Sequence, residues 1–149
     1  MSFLKPGVQR KLSQPPEVQP PSKTAPTFFL VLTAYLQLLV FDIYLARKTF
    51  AGIYDRVRGY PTGKASTATT LDQICEAVDR ACVWYWKQVL CLERSVVTAC
   101  LLKRYGIAAK MVIGAQQVPF KAHAWVEVDA QVVSDDADMR ELYQVIDCC

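Results

Sequence analysis

The most apolar part of the chain runs from Thr27 to Phe50 and begins TFFLVLTAYLQLLVFDIYLA. It is long enough to raise the question of a membrane span. Against a span, Gln37 and Asp42 interrupt it, Arg47 and Lys48 close it, and the uninterrupted apolar runs are short for a hydrocarbon core. The expected element is a helix buried in the domain or docked against a partner protein. Peripheral membrane contact through residues 28–46 is the alternative. Farther along, Thr70 and Gln73 have the spacing of a capping box. Leu71, Ile74, Cys75, Val78, Cys82 and Tyr85 then recur at three- and four-residue steps, which predicts a helix ending near Trp84. A second helix is expected from Cys91 to Tyr105, with Leu92, Val96, Ala99, Cys100 and Leu102 on its buried side. Lys103 and Arg104 suit the negative end of its dipole, and Gly106 is a natural residue just past the end.

After Gly106 the period changes. Residues 108–115 read as a strand and 116–121 as a connection containing Pro119. Residues 122–128 alternate, with Ala122, Ala124, Val126 and Val128 on one face and His123, Trp125 and Glu127 on the other. Asp129 and Ala130 form a hairpin turn, and a short strand over 131–134 returns from it. Helices first and an antiparallel sheet second make an α+β fold.

Composition adjusts this picture in three places. A chain of 149 residues supports one domain with a real core, expected over 27–149 with its catalytic half at 70–147. Residues 5–26 hold six of the eight prolines, so 1–26 are expected to form a flexible arm, and the Gly, Ser and Thr content of 59–69 marks a loop. A net charge of +3, without a dense basic patch, speaks against nucleic acid as a partner. The first residues show no charged region, apolar region and small-residue cleavage site in order. Four of the six cysteines lie in predicted helices, where they serve as apolar fillers, and a reducing, cytoplasmic setting is expected. One histidine and no Cys-x-x-Cys pair leave no zinc spacing, and neither metal nor cofactor is expected. Cys148 and Cys149 read as a frayed tail.

Thiol chemistry needs a thiolate near neutral pH, which a helix N-terminus and a neighbouring imidazolium both favour. Cys91 falls in the first turn of a predicted helix, where free backbone N–H groups could also hold an oxyanion. The base can only be His123, the single histidine. A third group must orient the imidazole, and Asp129, Asp135 and Asp136 are available. Asp129 sits in the turn beyond the end of the His123 strand. Asp135 follows the returning strand and comes back alongside His123, so the hairpin favours it, with Asp136 in reserve. Taken singly, a helical cysteine is usually a buried filler and a lone strand histidine is usually structural. Periodicity alone stops at an α+β domain with a possible thiol site.

The local sequence adds more. CLERS at 91–95, LLKRYG at 101–106, Val112-Ile113-Gly114, PFKAHAWVE at 119–127 and Asp135 closely resemble the lasso peptide biosynthesis B proteins. These are leader peptidases on a transglutaminase-like, papain-related fold. The resemblance covers residues 75–140 and implies a Cys91, His123, Asp135 triad that cuts a ribosomal precursor between leader and core through a thioester. A separate ATP-dependent cyclase would then close the macrolactam ring. The short region ahead of Thr70 resembles the split, peptidase-only form, whose substrate is delivered by a separate leader-recognition protein. Asp129-Ala130 departs from the glycine that family members often place in this turn. Arg94, Trp125 and Glu127 are candidate substrate contacts, with a structural pairing open for Arg94 and Glu127. The backbone of Cys91 and the side chain of Gln88 are candidate oxyanion donors. The rival functions are acyl transfer to an amine, as in transglutaminases, and a non-catalytic subunit that binds the precursor.

Overall fold

A computed structural model describes residues 27–47, 50–64 and 69–149. The expected N-terminal arm, Lys48 and the Ser/Thr stretch at 65–68 lie outside the described residues. Four helices come first: α1 (Phe28–Arg47), α2 (Phe50–Arg58), α3 (Leu71–Trp84) and α4 (Cys91–Arg104). Strands β1 (Ala109–Gln116), β2 (Lys121–Val128) and β3 (Gln131–Val132) follow, then the short helix α5 (Met139–Leu142) and strand β4 (Gln144–Cys148). All pairings are antiparallel, in the spatial order β3-β2-β1-β4.

Helix α3 begins where its capping box requires. Thr70 Oγ1 accepts from the Gln73 backbone N–H at 3.3 Å, and Gln73 Oε1 accepts from the Thr70 N–H at 3.1 Å. Helix α4 ends at Arg104, and Gly106 follows with a φ of 84°, a conformation that glycine adopts without a Cβ clash. Between these ends α4 is enclosed. It packs on β1 and β2 on one side and on α1 and α3 on the other, so Ser95 through Lys103 are all buried. Even the Lys103 ammonium is accounted for, donating to the Val57 carbonyl at 2.7 Å.

Helix α1 belongs to the same core, through a stripe of Leu30, Ala34, Leu38 and Phe41. By length and composition alone it could cross a membrane. Its Asp42, however, accepts from Tyr85 Oη and Lys87 Nζ in the segment that leads into α4. The residue that spoils an apolar helix as a membrane span is thus a packing anchor. The opposite stripe of α1, including Leu32, Leu36, Val40 and Ile43, is exposed.

Two expectations need correction. The returning strand is regular only at Gln131–Val132, shorter than the 131–134 expected. Cys148 and Cys149 are not a frayed tail. Strand β4 pairs with β1, and beyond it the Cys149 N–H donates to the Met111 carbonyl at 2.9 Å while its carbonyl accepts from the Met111 N–H at 2.7 Å. Every residue of β4 is exposed. An edge strand of this kind buries no face and leaves no alternation to read.

Candidate active site

The β2–β3 hairpin builds one half of the site. Asp129 and Ala130 take φ values of 50° and 64°, which turns the chain back in two residues. Glu127 then faces Val132. Past β3 the pairing continues informally: the Val133 N–H donates to the Val126 carbonyl at 3.0 Å, and Ser134 Oγ accepts from the Val126 N–H at 3.1 Å. This carries Asp135 back beside His123, whose Nε2 lies 2.7 Å from Asp135 Oδ2. The other carboxylate oxygen accepts the Asp136 backbone N–H at 3.1 Å and is thereby fixed. An ionised carboxylate can only accept, so the pairing assigns the proton to Nε2 and leaves Nδ1 with a free lone pair. Asp129 remains in the turn, and Asp136 contributes its backbone N–H.

Cys91 is the first residue of α4. The first helical bond runs from the Arg94 N–H to the Leu90 carbonyl at 3.0 Å, so the three preceding N–H groups have no intrahelical acceptor. The segment ahead of Cys91 is pinned. Buried Glu93 accepts the Leu90 N–H at 3.0 Å and Lys87 Nζ at 2.9 Å, while Lys87 reaches Asp42 on α1. Gln88, three residues before Cys91, is exposed in this pinned segment. One turn into α4, Ser95 Oγ donates to the Ala124 carbonyl at 2.8 Å. Cys91 and Ser95 share a helix face by their four-residue spacing, and Ala124 follows His123 directly. That bond therefore ties the Cys91 end of α4 to the His123 end of β2. Among the described residues no hydrogen bond reaches the Cys91 thiol. Catalytic contacts of this type commonly close only when substrate is bound.

Four of the other thiols are poor nucleophiles for a physical reason. Burial pushes Cys75 and Cys100 up to about 12, and it raises Cys82 and Cys149 as well. A thiol so shifted stays protonated at neutral pH. Cys91 is half-buried at a helix start, and Cys148 is exposed on the edge strand.

The substrate-contact role expected for Trp125 and Glu127 is corrected by their burial, while Arg94 takes the structural pairing that the sequence left open. Arg94 grips Asp79 of α3 through its Nε at 3.0 Å and a terminal nitrogen at 2.8 Å. Trp125 is fully buried, and its Nε1 donates to Glu127 Oε1 at 2.9 Å. Glu127 is itself buried under Arg140, whose Nε donates to it at 2.7 Å and whose terminal nitrogen donates to the other oxygen. Hydrogen bonding from Arg140 holds the Glu127 carboxyl below its usual range, against the opposing effect of burial. No peptide can touch the Trp125 ring or the Glu127 carboxylate in this arrangement. Instead they support the histidine: the Trp125 ring is nearly parallel to His123 at 6.4 Å, and Tyr143 flanks the imidazole at 5.6 Å.

Residues the sequence left without a role complete this support. Met139 and Tyr143 cover the second face of the sheet beside Val112 and Trp125. Gly114 stands opposite His123 in the β1–β2 register. A Cβ there would meet the Trp125 ring at 2.7 Å and Tyr143 Cβ at 2.8 Å. The available signal was the tryptophan on the otherwise polar face of β2, which required a cover from later in the chain. Beside the site, Leu90 and Phe120 are exposed, one adjoining Cys91 and the other three residues before His123.

An α+β domain with helices ahead of a four-stranded antiparallel sheet, and a His–Asp pair beside a cysteine-headed helix, defines a recognisable class. The chain matches the transglutaminase-like superfamily over residues 36–148 and belongs to it. It is also 41% identical over 56 residues to the Microcin J25-processing protein McjB of Escherichia coli. That stretch covers 38% of this chain and 27% of the relative, so the match spans little more than a quarter of the relative's length. No solved structure matches the chain.

Proposed function

We propose that the chain is a cysteine leader peptidase that cuts a ribosomally made lasso-peptide precursor between leader and core. The observation that carries this reading is the Nε2-to-carboxylate bond between His123 and Asp135 at 2.7 Å, which frees Nδ1 for a thiol. Kinship with a microcin-processing protein over part of the chain supports the choice of substrate.

In this mechanism His123 Nδ1 takes the thiol proton, and the Cys91 sulfur attacks the scissile carbonyl carbon. The developing oxyanion is met by the free N–H of Cys91, with Gln88 as the second donor. The C–N bond breaks as the imidazolium returns a proton to the leaving α-amine of the core. Water, deprotonated by His123, then attacks the thioester and releases the leader as a carboxylate with the thiol restored. Asp135 keeps the imidazole in the tautomer that accepts at Nδ1 and stabilises it when charged. A separate recognition protein delivers the leader, and an ATP-dependent cyclase consumes the freed amine, in a cytoplasmic setting.

The test is mass spectrometry of a candidate lasso precursor incubated with its recognition protein and this chain, wild type and Cys91→Ala in parallel. One leader cut by wild type, lost in the variant, is expected. A mass gain from an added primary amine in place of hydrolysis would transfer the assignment to acyl transfer. Binding of the precursor without any cut by wild type would leave a binding subunit.

A further inference from the structure

At the far end of α4 from Cys91, a groove of about 340 Å³ lies between α1 and α2. Its apolar wall is the outer stripe of α1, with Leu36 at 52% and Val40 at 58% exposure. Arg56 and Arg104 also line it, both exposed. Arg56 is held over the Tyr44 ring at 6.0 Å, and neither arginine has a carboxylate partner among the described residues. Between these features sits Gln37, whose Oε1 is buried without a hydrogen-bond partner. An orphaned buried acceptor is unfavourable, and a donor that arrives with a ligand relieves it.

We propose that this groove is an exosite for an acidic, apolar segment of the peptide substrate, bound well away from the bond that is cut. The reading rests on the peptidase assignment above. Apolar side chains of the segment lie on Leu36 and Val40, a carboxylate meets Arg56 and Arg104, and the half-buried Gln37 turns its amide into the groove so that Oε1 accepts a backbone N–H. Thirteen residue steps separate Cys91 from Arg104 on α4, a distance of about 20 Å at 1.5 Å per residue. An extended peptide needs at least about six residues to span that distance. A leader longer than that reaches both places at once.

Two other occupants fit less well. The chain's own residues 1–26 carry Lys5, Arg10, Lys11 and Lys23 against Glu17 alone, the wrong sign for two arginines. A lipid surface is flat, and the phosphodiester oxygens that two arginines would hold offer Gln37 no donor.

The test titrates fluorescein-labelled full-length precursor, with its recognition protein, against the Cys91→Ala chain and follows anisotropy. Adding Arg56→Glu and Arg104→Glu is expected to weaken binding about tenfold or more, and a precursor with its leader Asp and Glu changed to Lys is expected to regain affinity for that variant. Gln37→Leu is expected to weaken binding while raising Tm, since it removes the orphaned acceptor; a merely structural role would move both together. Unchanged affinity in the double-Glu variant overturns the exosite. So does sedimentation of the wild-type chain with vesicles of anionic phosphatidylglycerol that the two Glu substitutions abolish. Cleavage is scored separately with the Cys91-intact chain. A wild-type cut with unaltered variant binding removes the exosite alone, and absence of any cut removes the peptidase reading while anisotropy still reports the groove.

Discussion

Asp135 uses one carboxylate oxygen for His123 and the other for the Asp136 N–H, so both its position and its acceptor character are fixed. An asparagine would fit the same space but could present its amide N–H to Nε2, moving the ring proton to Nδ1 and blocking the thiol. Asp135→Asn is therefore expected to lower kcat by roughly 10²- to 10⁴-fold with little change in Tm, read by quantifying leader release. Gly114→Ala tests the support behind the ring. Its Cβ would stand 2.7–2.9 Å from Trp125 carbons and 2.8 Å from Tyr143 Cβ, and both neighbours are packed against other groups. Such overpacking is expected to destabilise the protein by about 1–3 kcal/mol in urea titrations. The approach of Asp135 to His123 was legible because a two-residue turn fixes hairpin register. The roles of Trp125 and Glu127 were not, since alternation tells which face a side chain takes and not what later covers it.

Among the elements, the hairpin turn carries a visible strain. Both turn residues have positive φ, which Asp129 tolerates better than Ala130 at 64°. Ala130→Gly removes the Cβ clash but adds freedom to the unfolded chain, so the net gain is expected to be about 0.5–1 kcal/mol. A raised urea midpoint with unchanged slope is the predicted outcome, and a lowered one would show that the turn relaxes in solution. Helix starts and stops were the most legible elements, because the Thr70–Gln73 box and Gly106 act locally. Helix α5 and strand β4 were not, one being a single turn and the other wholly exposed. Neither produces a periodic signal. Both are nonetheless part of the active-site scaffold, since α5 contributes Arg140 to Glu127 and Tyr143 beside it flanks His123.

At the scale of the whole molecule, α4 is the axis on which both candidate sites hang, with Cys91 at one end and Arg104 at the other. Its enclosure by helices and sheet buries more than the one apolar side read from its sequence, since Ser95, Val97, Thr98, Leu101 and Lys103 are buried along with Val96, Ala99, Cys100 and Leu102. Helix α1 shows the opposite case, apolar on two faces with only one of them in the core. The sheet's second face is closed by the Glu127–Arg140 pair, and this makes stability depend on acid. Glu127 has a folded value depressed below its ordinary 4.5, chiefly by hydrogen bonding from Arg140. Its contribution is complete above the unfolded value and is lost as pH falls through the lower folded value. Glu127→Gln should therefore be less stable than wild type at pH 7, with the gap closing as both are titrated into acid. Urea unfolding at a series of pH values from neutral downward measures this directly. A gap that stays constant into strong acid would mean that the carboxylate's charge does not hold the pair. Because Glu127 also holds Trp125 beside the histidine, acid should loosen the His123 environment before the helical core opens. Near-UV circular dichroism, which reports the tryptophans, is accordingly expected to change at a higher pH than the far-UV helical signal.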